Sequence, residues 1–168
     1  MQWFRKAADA GDTASMTDIG ELYQNGWGVS IDYRQAMTWY RKASNAGDDY
    51  AMGCIGNLYQ NGWGVDKDYT QAMKWFRKSA DTGNADAMDN VGEQYLVGLG
   101  VNQDYREAMI WYRKSADAGV DQGMFKVAFL YENGFGVAKN DDQAMFWYQK
   151  AAAAGSNDAK NWLSAHGG

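Results

Sequence analysis

The chain has 168 residues, 46% of them hydrophobic and 22% charged, which suits a packed globular protein with a sizeable core. Its 21 acidic and 16 basic groups leave a net charge of −5, which argues against nucleic acid or an anionic membrane surface as the main partner. No apolar run approaches the ~18 residues of a membrane span, the N-terminus lacks the layout of a signal peptide, and one cysteine allows no internal disulfide. None of this fixes a compartment.

The chain opens in the middle of a repeating unit. Trp3 begins the stretch W-[FY]-[RQ]-K-[AS]-[AS]-x-[AT]-G, which returns at Trp39, Trp75, Trp111 and Trp147. A second block, Y-x-x-G-x-G-V, starts at Tyr23, Tyr59, Tyr95 and Tyr131, so both recur every 36 residues. Such a period means a stacked array in which each copy buries its apolar face against its neighbours. Because Met1 runs straight into mid-repeat sequence, a chain cut from a longer protein is expected.

Met16, Ile19, Gly20 and Tyr23 fall at i, i+3, i+4 and i+7 and predict a helix over 14–25, termed helix A; the stripe returns as Met52, Ile55, Gly56 and Tyr59. Ala36, Trp39, Tyr40 and Ala43 predict a second helix over 33–46, helix B. Asp32, Asp68, Asp104 and Asn140 stand where helix B begins, with Gln35, Gln71, Glu107 and Gln143 three residues later, the layout of a capping box. Gly11, Gly47, Gly83, Gly119 and Gly155 close helix B, and Asp12, Asp48, Asn84 and Ser156 are placed to cap the next helix A. Proline is absent, so glycine alone breaks the helices. The expected organisation is one all-α array: a partial repeat 1–11, full repeats 12–47, 48–83, 84–119 and 120–155, and a partial capping helix 156–168.

These rows resemble the Sel-1-like repeat family, relatives of the tetratricopeptide repeats. The second unit carries the family pattern as Ala51, Ile55, Gly56, Tyr59, Gly62, Gly64, Val65, Asp68, Ala72, Trp75, Phe76, Lys78, Ala80 and Gly83. Three departures are mild: Ala128 replaces glycine, Gln94 replaces leucine and Asn140 replaces aspartate. The resemblance implies an α/α superhelical solenoid of helix-turn-helix repeats, with helix A on the concave side. It also implies a scaffold or adaptor that holds a protein or peptide. Some cysteine-rich members of the family are described as binding or hydrolysing β-lactams; they staple their helix pairs with paired cysteines, which this chain lacks.

Few residues suggest chemistry, and no cofactor is expected. His166 sits at a chain end beside Gly167 and Gly168 and reads as a frayed-end side chain. Cys54 is too far from it to form a catalytic pair, at least ~25 Å across three repeats, and reads as a small exposed thiol. Asp86, Asp89 and Glu93 lie on one helical face, but no glycine-turn loop adds the carbonyls of a cation site, so they read as a solvated acidic face. The G-x-G loops follow a helix rather than a strand and read as turns. A basic row, including Lys6, Lys42, Lys78, Lys114 and Lys150, suits the negative end of helix B, and Met37, Met73, Met109 and Met145 suit packing between helices.

The copies differ on the side of helix A opposite its apolar stripe. In chain order these variable positions give Asp18 and Glu21; Tyr50, Cys54 and Asn57; Asp86, Asp89, Asn90 and Glu93; then Phe125, Lys126 and Phe129. Asn25, Asn61 and Asn133 close helix A, either capping the turn or bonding an extended peptide. The acids would attract a basic segment, and Phe125 with Phe129 would give an aromatic anchor, unless both phenylalanines pack against an adjoining unit. The reading is a non-enzymatic protein- or peptide-binding module; the alternatives are a β-lactam-directed enzyme or a structural spacer. At the N-terminal end Trp3, Phe4 and Ala7 lack a helix A before them, so weak self-association through that surface is expected.

Overall fold

The structure, a computed structural model, describes residues 1–166. Gly167 and Gly168, the last positions of the predicted terminal fragment, lie outside it. Among the described residues there are ten helices and no strand. They fall into two compact units, Met1–Asn84 and Ala85–Gly168. The first holds α1 (Gln2–Asp9), α2 (Thr13–Asn25), α3 (Tyr33–Asn45), α4 (Asp49–Asn61) and α5 (Tyr69–Asp81). The second holds α6 (Ala85–Val97), α7 (Tyr105–Asp117), α8 (Asp121–Asn133), α9 (Asp141–Ala154) and α10 (Asn157–His166). Even-numbered helices are A helices and odd-numbered ones B helices.

The helix starts follow the capping chemistry. Asp32 Oδ1 accepts from the backbone N–H of Gln35 at 3.0 Å, and Asp68 Oδ1 accepts from Gln71 N–H at 2.9 Å. Asp104 and Asn140 do the same for Glu107 and Gln143. The second arm of the predicted capping box is not used. Instead the backbone N–H of Asp32, Asp68, Asp104 and Asn140 donates to the carbonyl of Tyr23, Tyr59, Tyr95 and Tyr131, at 2.9 to 3.0 Å. The donor a glutamine would have satisfied is thus spent tying the start of helix B to the preceding helix A.

Helix A ends at a glycine because the chain turns through the left-handed region: Gly62 has φ 72° and its N–H returns to the Leu58 carbonyl. Two residues on, Gly64 lies so close to the Tyr33 backbone that a Cβ would come within 2.8 Å of it. That approach lets Trp63 stack on Tyr33, with ring centroids 5.3 Å apart, and Phe135 repeats the contact on Tyr105 at 4.8 Å.

Within a repeat, helices A and B meet glycine to ring. A Cβ on Gly20 would lie 2.5 Å from the Tyr40 ring, one on Gly56 2.5 Å from Phe76, and one on Gly92 2.7 Å from Tyr112. These rings are fully buried, as is Tyr148, whose partner position is occupied by Ala128. Ile19, Ile55, Val91 and Val127 complete the stripe, and Met37, Met73 and Met109 are buried as expected, while Met145 is half-buried. Burial of such side chains stabilises each unit by roughly 1.5–3 kcal/mol apiece.

The basic row of the B helices is largely occupied internally. Lys42 sits 4.0 Å over the Trp39 ring and Lys114 3.8 Å over Trp111, and the pairs at Trp3, Trp75 and Trp147 repeat this i, i+3 contact. Arg5 and Arg41 donate to the hydroxyls of Tyr23 and Tyr59 at 3.0 and 2.9 Å. At the C-terminal end Tyr148, Trp162 and His166 form a ladder, with centroids 3.9 and 4.4 Å apart. His166 is therefore not the frayed side chain its position suggests.

Candidate functional site

The variable rows divide into an exposed border and a half-buried middle. Tyr50, Asp86, Asn25, Asn61 and Asn133 are exposed, whereas Asp18, Glu21, Asn57, Asp89, Asn90, Glu93, Phe125, Lys126 and Phe129 are half-buried. Part of the cause is contact between the two A helices inside a unit. In the first unit Tyr50 of α4 donates its hydroxyl to Glu21 Oε1 of α2 at 2.8 Å, and Thr17 donates to Asp48 Oδ2 at 2.9 Å. Thr17 and Cys54 are consequently 6% and 7% exposed. Cys54 is no exposed thiol: burial, first of all, pushes it up to about 12, with the Tyr40 and Tyr50 hydroxyls beside it. At neutral pH it stays a thiol and is a poor nucleophile.

In the second unit the acids form a network rather than a solvated face. Glu93 Oε2 accepts from Lys126 Nζ at 2.8 Å and from the Tyr112 hydroxyl at 2.7 Å. Desolvation alone would raise Glu93, but the bonds from Lys126 and Tyr112 outweigh it and hold the carboxyl below its usual value. Asp89 goes the other way, up to about 6, because burial outweighs the attraction of Lys126 and Glu93, Asp86 and Asp121 add repulsion. Its Oδ1 is buried with no hydrogen-bond partner among the described residues. Asp86, Asp89 and Glu93 do not converge on a point, and no group of three potential ligands for a metal ion occurs among the described residues.

Phe125 packs on Tyr148 with centroids 5.3 Å apart, and Phe129 meets Phe135 at 5.9 Å, so both are partly spent inside the second unit. The asparagines are also engaged locally: the Asn61 amide donates to the Asn57 carbonyl and that of Asn133 to the Phe129 carbonyl, each at 2.9 Å. This supports the capping role for those two amides, each of which keeps one N–H and its Oδ1 for other partners. The sequence reading missed the ring hydroxyls. Tyr40 donates to Gln24 at 3.1 Å and Tyr148 to Glu132 at 2.6 Å, each pair sixteen residues apart, and Phe76 breaks the row. A polar residue sixteen positions before Tyr40 and Tyr148 was the available signal; Tyr112, with Leu96 at that place, reaches Glu93 nineteen positions back instead.

A sequence model of the Sel1 repeat family matches residues 1–12, 13–48, 50–84, 85–120 and 121–156. Among solved structures the chain is similar to c5321, a protective antigen of uropathogenic Escherichia coli strains with an SLR fold, at 37% identity and TM-score 0.91. That match covers 98% of this chain and 35% of the other. A Sel1 repeat protein from Oxalobacter formigenes matches at 35% identity and TM-score 0.91, over 96% of this chain and 66% of that one. Cysteine rich protein B of Helicobacter pylori matches at 25% identity and TM-score 0.63, over 79% of this chain and 96% of that one. The chain thus spans about a third and about two thirds of the lengths of the first two relatives. No curated protein matches. Four matched repeats and a matched 12-residue segment before them, each repeat a helix pair, give one conclusion: the chain belongs to the Sel1 repeat family and shares its α/α solenoid fold.

Proposed function

We propose that the chain is a non-enzymatic protein- or peptide-binding module, and that partners bind the A-helix side of its units. One observation carries this reading. The B helices repeat almost residue for residue, with the lysine row beside their tryptophans lying over those rings, whereas one row on the A helices reads Asp18, Cys54, Asn90 and Lys126. A spacer has no need for variation restricted to one side, and a partner-reading surface does. The acids of that side favour a partner with a basic segment, and Asn25, Tyr50, Asn61, Asp86 and Asn133 are its exposed members.

The test is selection of displayed peptides against the chain, followed by chemical-shift mapping. Shifts should cluster at Asp18, Glu21, Asn25, Tyr50 and Asn57 in the first unit, and at Asp86, Asp89, Asn90, Glu93, Lys126 and Asn133 in the second. Shifts confined to the B helices would overturn the reading. The β-lactam alternative gains no support from the buried, protonated Cys54, and nitrocefin should not be turned over.

A further inference from the structure

Four residues of α6 make one straight stripe: Asp86, Asn90, Glu93 and Val97 follow at i, i+4, i+7 and i+11. The first and last, about 16 Å apart at the helical rise, are its exposed ends. Asp86 forms no ion pair among the described residues, and Lys126 of the neighbouring α8 is already spent on Glu93. Val97 is 51% exposed.

A lone exposed valine means little on a protein surface, but this one interrupts a row. The copies at its position are Asn25, Asn61 and Asn133. Asn61 and Asn133 donate to carbonyls of the last helical turn, which valine cannot do; at the end of α6 the loop residue Gln103 donates its Nε2 to the Leu96 carbonyl at 2.8 Å. The side chain at 97 therefore has no capping duty. Its surroundings differ in the same sense. Lys126 meets Glu93 from thirty-three positions further on, and that register brings Val97 level with Phe129 and Leu130 of α8. Leu130 is wholly buried, so the half-buried Phe129 is the ring that shares this surface, and Phe135 lies against it with centroids 5.9 Å apart. Two repeats earlier the same three positions hold Asn25, Asn57 and Trp63. A pair of amides in the first unit is an apolar pair in the second.

We propose that Val97 and Phe129, backed by Phe135, form a subsite for an aliphatic side chain of the partner protein, and that Asp86 takes a basic side chain of the same segment. The inference rests on the binding-module reading and names what the second unit selects. A polar group at the subsite would exchange water for methyls and a ring that offer it no hydrogen bond, whereas leucine or isoleucine removes apolar surface from water on both sides. An acidic side chain at the other end would face Asp86. In an extended segment a lysine four residues from a leucine has its Cα about 13 Å away, and its stem covers the remaining distance to Asp86.

The experiment titrates the full chain with acetyl-Lys-Ser-Ala-Ser-Leu-amide and, in parallel, with the peptide that carries asparagine in place of leucine. Carbon-correlated spectra follow the Val97 methyls and the Phe129 ring, and amide spectra follow Asp86 and Asn90. The leucine peptide should shift all four saturably and bind about tenfold more tightly than the asparagine peptide. Val97→Asn puts the row's own residue at an exposed position, so it should keep the parent melting temperature and cut the preference to about threefold or less. Val97→Thr, of the same shape with one hydroxyl, is the second variant and should act in the same direction. Equal binding of the two peptides, or a preference that survives both substitutions, would overturn the subsite; if Asp86 and Asn90 still move in those titrations, the A-helix reading stands. Val97 and Phe129 unmoved by the leucine peptide would overturn it too, as would Val97 methyls that shift on raising protein concentration alone, which would assign the surface to a second copy.

Discussion

Lys126 holds its ammonium nitrogen 2.8 Å from Oε2 of Glu93, and this bond joins two A helices, α8 and α6, across the second unit. The side chains are 22% and 39% exposed, so the pair is neither a free surface contact nor a fully buried one. Its neighbours make it consequential: the Tyr112 hydroxyl shares the same carboxylate oxygen, and Asp89 lies within reach of the same lysine.

Replacing both acids by lysine tests that network. On the sequence alone, Asp89→Lys with Glu93→Lys should change stability by no more than ~0.5 kcal/mol, as for exposed charges. The structure reverses this expectation. Two cations would face Lys126 and leave the Tyr112 hydroxyl without its acceptor, and we predict a loss of roughly 2–3 kcal/mol by urea denaturation. Melting unchanged from the parent would return these side chains to solvent.

Asp89 gives a pH signature. Its folded value of about 6 exceeds the unfolded 3.8, so the folded state binds more proton between these values. Its contribution is full below the unfolded value and is lost as pH rises through about 6. Asp89→Asn should therefore stabilise the protein at pH 7, by about 1 kcal/mol after allowance for screening, and give almost no gain near pH 4. Glu93, held low, acts oppositely and loses its contribution only as pH falls through its depressed value, so the two are separable. Equal gains at both pH values would remove Asp89 as the cause.

Two glycines of one helix pair should respond oppositely to alanine. Gly62→Ala forces a side chain into φ 72° with Lys67 Cβ 3.2 Å away, and should cost ~1–2 kcal/mol. Gly53 is helical, with nothing nearer than Ser79 Oγ at 3.7 Å, so Gly53→Ala should stabilise by ~0.5–1 kcal/mol. Thermal melts of the two variants decide it.

Self-association remains a proposal at the N-terminal end, where Trp3 is 82% exposed and Phe4 36%. Apolar surface left open contributes ~25 cal/mol per Å² when another chain covers it. Light scattering should show weak, concentration-dependent association, reduced by Trp3→Ser, with the Trp3 indole resonance shifting and that of Trp27 unmoved. A strict monomer at high micromolar concentration would exclude it.

The helices were legible because each boundary carries its own chemistry: Asp32 or Asp68 bonding a first-turn amide, and Gly62 turning where other residues resist. The site was legible only in part. A helical wheel treats one helix alone, so positions opposite the apolar stripe look exposed; within a unit the neighbouring helices lean on them. That is why Thr17, bonded to Asp48, and Cys54, beside Tyr40 and Tyr50, are buried and why Glu93 turns to Lys126. The Asn61 amide, open to two readings in the sequence, donates to Asn57 because the carbonyls of a last helical turn need donors.

The glycine-to-ring contact between helices A and B also governs how the protein could be lengthened or rebuilt. Gly20 with Tyr40, Gly56 with Phe76 and Gly92 with Tyr112 are equivalent sockets, so a duplicated segment bearing any of these pairs should seat a neighbour's helix without repacking. The fourth copy is different in kind. Ala128 fills the socket, and its ring, Tyr148, leans instead on Phe125 and Trp162. Placed before another neighbour, that copy would lose the Trp162 ring that stacks on Tyr148, so it cannot be exchanged freely with the other three.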